Sequence, residues 1–159
     1  MILHIPHASS TIPDKYRDQF ILNDKELARE HLGLTDAYTD ELFQNPAAQI
    51  VYFPYSRLLV DVERFPSDEQ EPMSQVGMGM IYTRTIAGSQ LRRHINEEEQ
   101  EKLKKLYYEH HWLLTHEVEK ELAQKGKSLI ADCHSFPSKP QHYHENQSTL
   151  RPDICLGMD

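Results

Sequence analysis

The sequence has few cysteines, few glycines and no long apolar run. Its 159 residues include two cysteines and six glycines. Cys133 and Cys155 are too few for a disulfide scaffold and fit a reducing compartment. No apolar run approaches the roughly 20 residues that a membrane-spanning helix needs, and the first residues lack the pattern of a secretory signal. We therefore expect a cytoplasmic protein without a membrane partner.

Positive charge is also scarce. The 17 Lys and Arg residues are outnumbered by 25 Asp and Glu residues, which gives a formal net charge of −8. Proteins that bind nucleic acid usually carry the opposite balance, so the composition argues against a nucleic-acid partner. Hydrophobic residues make up 38% of the chain and charged residues 26%, as in a globular domain. The length predicts a single domain over residues 1–159.

Strand and helix patterns alternate along the chain. Apolar runs predict strands at residues 2–5, 49–53, 58–62 and 128–131, and the start of another at 154. Helical patterns cover residues 24–33, 35–43 and 97–123, and Asn96 can cap the last of these helices. This alternation predicts an α/β fold with a mixed, mostly parallel sheet flanked by helices. Residues 66–88 and 136–152 are expected to be irregular, and the second of these loops contains His142 and His144.

Histidine is the unusual component of the composition, at ten of 159 residues. His7 and His134 each follow a predicted strand, and ligands of parallel α/β sheets bind at the carboxyl ends of the strands. Imidazole is a common zinc ligand, and a catalytic zinc needs three protein ligands. The placement fits either a zinc site or two ordinary loop histidines. His110 lies on the apolar stripe of the long predicted helix, where a packed core residue is expected.

Two acidic residues could complete such a site. Asp36 and Asp40 are four residues apart in a predicted helix, so they are expected to share a face. The same spacing is also typical of an acidic face in contact with water, and the two interpretations stay open.

Arg57 and Arg64 flank the predicted strand at residues 58–62. An arginine near a strand end can hold a substrate carboxylate through paired hydrogen bonds. Asp61 lies among the apolar residues of that strand and needs a cationic partner if it is buried. An internal ion pair between Asp61 and an arginine is therefore an equally good interpretation.

Cys133 precedes His134 and suggests a thiol nucleophile with its base. Neighbouring residues of a strand point to opposite faces, which argues against that partnership.

Six blocks occur in a characteristic order: residues 6–9 (PHAS), 35–36 (TD), 56–64 (SRLLVDVER), 79–82 (GMIY), 132–135 (DCHS) and 152–157 (PDICLG). Together they resemble the N-formylglutamate amidohydrolase family, which is related in fold to the zinc-dependent exopeptidases. The resemblance implies a phosphorylase/hydrolase-like α/β domain with one zinc ion. It also implies hydrolysis of a linear amide bond, as in the conversion of N-formyl-L-glutamate to formate and L-glutamate.

The same resemblance suggests roles for individual residues. His7, Asp36 and His134 look like the zinc ligands, and Arg57 and Arg64 resemble the arginines that face the free carboxylate of a small-molecule substrate. Family members continue beyond the last block, into a segment with a glutamate that resembles the exopeptidase general base. We therefore expect this chain to carry the N-terminal part of the family domain, with its general base beyond residue 159. A catalytically incomplete metal- or ligand-binding domain of the same fold is the alternative.

Overall fold

Three short parallel strands form a sheet in the part of the chain that the structure describes. The computed structural model describes residues 1–139 and 151–157. Within them, the sheet has the order β2-β1-β3, with β1 at Ile2–Ile5, β2 at Gln49–Tyr52 and β3 at Ile130–Asp132. The predicted α/β class is confirmed. Because all three strands are parallel and β1 is central, their carboxyl ends meet at one edge of the sheet.

The two longest helices begin at the capping residues Asn23 and Asn96. The bounds of the described helices are α1 Asp14–Arg17, α2 Asp24–Leu34, α3 Thr39–Leu42 and α4 Glu97–Lys125, with a 3-10 helix at Pro72–Val76. The Asn96 side chain accepts a hydrogen bond from the Glu99 amide, and the Glu99 side chain accepts one from the Asn96 amide. Gly126 ends α4 with a φ of 70°, a left-handed conformation that glycine adopts without strain.

The two faces of β1 belong to different environments. Leu3 and Ile5 pack with Cys133 in a small apolar cluster. His4 lies on the opposite face, where its ring meets His110 of α4. A larger core joins the helices to residues 53–95, and its least exposed members are Leu58, Leu59, Val60, Tyr82, Leu91 and Leu103.

The predicted strand at residues 58–62 is wrong. The Ser56 hydroxyl accepts a hydrogen bond from the Leu58 amide, and the Ser56 carbonyl accepts one from Leu59. The Asp61 amide donates to the Met80 carbonyl. These bonds satisfy the backbone in a series of turns, so the segment does not need a sheet ladder. Its consecutive apolar side chains are buried because the turns pack against the core.

The predicted helix at residues 35–43 is wrong in its first half. The Asp36 amide donates to the His7 carbonyl at 3.0 Å, and the Asp36 carbonyl accepts from the Thr39 hydroxyl at 2.7 Å. These bonds tie Asp36 to the loop after β1, and α3 begins only at Thr39. Asp36 and Asp40 therefore do not share a helix face.

The C-terminal predictions have two outcomes. Residues 154–157 form no strand in the described structure, so that prediction is wrong. The predicted loop at residues 136–152, with His142 and His144, lies for the most part outside the described residues. Over residues 1–139 and 151–157, no helix has both the length and the apolar character needed to cross a membrane.

Candidate metal centre

The two histidines that follow strands meet at the carboxyl edge of the sheet. His7 lies two residues after β1, and His134 lies two residues after β3. Their ring centroids are 5.6 Å apart. His7 is fully buried, whereas His134 is partly open to solvent. The two side chains therefore lie close together at this edge, as their positions after strands predict.

Glu63 joins the two histidines. Its Oε2 atom lies 3.2 Å from Nδ1 of His7, and its Oε1 atom lies 3.2 Å from Nε2 of His134. Ligand atoms of these three residues all lie within 4.8 Å of one another. Sequence reasoning did not place Glu63 in the site, although the alternation in Asp61-Val62-Glu63 puts two carboxylates two residues apart.

A second carboxylate holds the far nitrogen of each ring. Nε2 of His7 donates to Oδ1 of Asp61 at 2.9 Å, and Nδ1 of His134 donates to Oδ2 of Asp36 at 2.7 Å. Metal-binding histidines usually have such a partner on the nitrogen that does not face the metal. Asp36 thus lies behind His134 and is outside the cluster of His7, Glu63 and His134.

Asp61 is the most heavily hydrogen-bonded carboxylate of the site, and it has no solvent exposure. Oδ1 accepts from His7 and from the Glu63 amide at 3.1 Å. Oδ2 accepts from Nη2 of Arg57 at 2.7 Å, from Nε of Arg57 at 3.1 Å and from the Tyr82 hydroxyl at 2.8 Å. Burial alone would raise the pKa of Asp61, but Arg57 and His7 outweigh it and hold that pKa well below its usual range.

The two arginines predicted to bind substrate differ in whether their guanidinium N–H groups already donate hydrogen bonds within the protein. Arg57 forms the ion pair with Asp61 that the sequence left open. The Arg64 guanidinium donates no hydrogen bond to any described residue. Its nearest carboxylate oxygens are Oδ2 of Asp61, 3.5 Å from Nε, and Oε1 of Glu71, 3.8 Å from Nη1. With a side chain 26% exposed, Arg64 keeps donors that a ligand can use.

A cavity of about 630 Å³ is lined by residues that neighbour the cluster, and His7, Glu63 and His134 are not themselves in its lining. Its wall includes Asp36, which holds His134, and Ser135, the next residue in the chain. The polar lining also includes Arg57, Arg64 and Tyr82. The irregular segment at residues 66–88 contributes to the wall through Met73, Met78 and Tyr82.

The cluster attracts positive charge. His134 lies between two carboxylates, and its hydrogen bonds to Asp36 and Glu63 raise its pKa to about 10. A proton or another cation is therefore strongly favoured between these groups.

His4, Glu63 and Asp132 also lie within metal-binding distance of one another. Both nitrogens of His4 are already engaged, since Nδ1 donates to Asp132 and Nε2 lies 2.7 Å from Nε2 of His110. Burial and the neighbouring His4 lower the pKa of His110 to about 3, so the His110 ring is neutral and donates to His4. The interpretation of His110 as a packed, hydrogen-bonded residue is confirmed, and this group is a hydrogen-bond chain rather than a ligand set.

The thiol of Cys133 is poorly suited to nucleophilic attack. Its side chain is buried, and Sγ donates to the Ala131 carbonyl at 3.3 Å. Burial raises the pKa of Cys133 to about 11, which keeps the thiol protonated near neutral pH.

Fold and site together define an α/β protein with a histidine–carboxylate cluster at the carboxyl edge of a parallel sheet. The model of the N-formylglutamate amidohydrolase family matches residues 1–159, and the chain belongs to that family. It is similar in structure to the N-formylglutamate amidohydrolase from Ralstonia eutropha JMP134, with a TM-score of 0.69 and 18% sequence identity. That similarity covers 86% of this chain and 54% of the Ralstonia chain, so this chain spans about half the length of its structural relative. A comparison with curated proteins gives no match.

We expect Asp61→Asn to destabilise the protein by about 3–5 kcal/mol, because it leaves the Arg57 charge buried without its counterion. Tyr82→Phe removes one donor from the same carboxylate and should cost only about 1–2 kcal/mol. The free energies of unfolding come from urea titration of both variants and the wild type. If Asp61→Asn lowers the free energy of unfolding no more than Tyr82→Phe does, the negative charge of Asp61 does not have this central role.

Proposed function

We propose that this chain is a zinc-dependent amidohydrolase that cleaves a linear amide of a small acidic N-acyl amino acid. N-formyl-L-glutamate, hydrolysed to formate and L-glutamate, is the proposed substrate. Membership of the N-formylglutamate amidohydrolase family supports the reaction class. The observation that carries the zinc proposal is the cluster of His7, Glu63 and His134, in which a further carboxylate anchors each imidazole.

The donor atoms of the cluster suit a zinc ion. Two ligands bound to tetrahedral zinc at about 2.0–2.1 Å lie about 3.3 Å apart. Each histidine is at about that spacing from one oxygen of Glu63, with Oε2 3.2 Å from His7 Nδ1 and Oε1 3.2 Å from His134 Nε2. One ligand atom from each of the three residues lies within 4.8 Å of the other two. Two imidazoles and one glutamate are also a ligand set used by catalytic zinc.

The unpaired nitrogen of His7 is a second indication. Nδ1 is buried and has no hydrogen-bond partner among the described residues, although a carboxylate oxygen of Glu63 lies near it. Asp61 accepts the ring proton of Nε2, so in a neutral His7 ring Nδ1 presents a lone pair to a negatively charged oxygen. That arrangement is repulsive unless a second ring proton or a metal cation lies between the two atoms. In this proposal Glu63 therefore takes the ligand role predicted for Asp36, and Asp36 orients His134.

Zinc bound there would act as a Lewis acid towards the acyl carbonyl and would make a water acidic enough to attack at neutral pH. The chain's own residues supply orientation and binding. Asp61 and Asp36 each accept a hydrogen bond from one ring nitrogen of His7 and His134. The other nitrogen of each ring, the proposed zinc ligand, is thereby kept turned towards Glu63. The planar guanidinium of Arg64, in the wall of the cavity that Asp36 also lines, can pair with a substrate carboxylate. The cavity volume of about 630 Å³ is within the range of small-molecule sites.

We expect His7→Ala, His134→Ala and Glu63→Gln each to abolish stoichiometric zinc binding. Asp36→Asn should retain the metal with an affinity about 10–100-fold lower, because it weakens only the anchor of His134. Asp40→Asn is the matched control, since it makes the same change four residues away in α3, and it should bind like the wild type. Metal analysis after dialysis measures zinc content, and circular dichroism shows whether each variant is folded.

Two results would contradict this ligand set. Full zinc content in folded His7→Ala would remove the buried histidine from the site. A loss of zinc in Asp36→Asn as complete as that in Glu63→Gln would make Asp36 a direct ligand.

We expect Arg64→Lys to lower kcat/KM for formate release from N-formyl-L-glutamate on the order of 30- to 700-fold. Losing a two-pronged, charged hydrogen bond costs on the order of 2–4 kcal/mol of transition-state binding, and lysine does not restore the planar fork. Arg93→Lys is the control, because Arg93 pairs on the surface with Asp18 and Glu99. Unchanged kcat/KM in Arg64→Lys would contradict the assignment. Zinc binding without formate release by the wild type would favour the alternative of a catalytically incomplete metal-binding domain.

A further inference from the structure

One face of α4 contacts the backbone that carries Glu63. Tyr107 and His111 are four residues apart and lie on the same side of the helix. The Tyr107 hydroxyl donates to the Arg64 carbonyl at 3.0 Å, and Nε2 of His111 donates to the Val62 carbonyl at 2.8 Å. Their rings pack against each other with centroids 4.3 Å apart. The helix is thus bonded to both sides of Glu63 in the sequence.

The peptide unit between Val62 and Glu63 is held at both of its polar atoms. Its N–H group donates to Oδ1 of Asp61 at 3.1 Å, and its carbonyl accepts from His111. A peptide unit is planar, so two hydrogen bonds on opposite sides fix its rotation about the chain axis. That rotation sets the direction in which the Glu63 side chain leaves the backbone. No sheet ladder does so here, because the segment is a series of turns.

We propose that His111 is a positioning residue that aims the Glu63 carboxylate at His7 and His134 through the Val62 carbonyl. The inference rests on the proposed function in one respect, the role of Glu63 as a zinc ligand. Over residues 1–139 and 151–157, His111 is in neither group of potential metal ligands, and its hydrogen bond goes to the backbone. A carbonyl can only accept, which places the ring proton of His111 on Nε2.

The first test is the zinc dissociation constant, measured in competition with a chromophoric chelator. His111→Phe keeps a ring but removes the donor, and it should weaken zinc binding about 10–100-fold, as loss of an orienting partner does. His111→Gln keeps an N–H donor and should recover most of that loss. His116→Phe is the control on the same helix, because His116 stacks on the exposed ring of Trp112 and should leave affinity unchanged. Wild-type affinity in folded His111→Phe, or equal losses in the Phe and Gln variants, would overturn the proposal.

The second test needs no metal. Amide hydrogen exchange of the metal-free protein should be faster at Glu63 in His111→Phe than in the wild type, and His111→Gln should restore protection. Exchange at the Leu106 amide, in the preceding turn of α4, should stay the same and shows whether the helix itself has loosened. If the wild type binds no zinc, the proposed function fails, and this measurement still decides on His111. Unchanged protection of the Glu63 amide in His111→Phe would overturn the positioning role.

Discussion

Asp61 carries its negative charge without any exposure to solvent, and the organisation of the site follows from how that charge is neutralised. A buried carboxylate is costly unless it is paired and hydrogen-bonded. Arg57 supplies the positive charge, and Tyr82, His7 and the Glu63 amide supply the remaining hydrogen bonds. The same carboxylate therefore commits Arg57 to the interior, fixes the tautomer of His7 and holds the backbone of Glu63.

The histidines around the site divide into two groups by what their nitrogens do. His7 and His134 each give one nitrogen to a carboxylate and turn the other towards Glu63. His4, His110 and His111 use their nitrogens for hydrogen bonds within the fold. This division explains why proximity alone does not define a metal site in this protein. The first group differs from the second in having a ring nitrogen 3.2 Å from a carboxylate oxygen of Glu63.

Structural elements that depend on local sequence patterns can be predicted from this sequence. Elements that depend on hydrogen bonds between side chains and the backbone cannot. The first strand, the caps of α4 and the positions of His7 and His134 after strands follow from apolar runs and capping residues. The turns at residues 58–62 do not, because Ser56 replaces a sheet ladder with its own hydrogen bonds. The helical pattern at residues 35–43 also fails at Asp36, because the Asp36 amide bonds to the distant His7 carbonyl, a contact that depends on the tertiary fold. The place of Glu63 depends on contacts across more than fifty residues, which no local pattern encodes.

The most direct test of this account is a crystal structure of the zinc-loaded protein, with anomalous diffraction recorded at the zinc absorption edge. If the proposed ligands hold the zinc, one strong anomalous peak lies within about 2.0–2.2 Å of His7 Nδ1, His134 Nε2 and a carboxylate oxygen of Glu63. Asp36 and Asp61 should stay hydrogen-bonded to the far nitrogens of the two imidazoles. A peak coordinated directly by Asp36, or one bound by His4 and Asp132 with His7 left free, would contradict it.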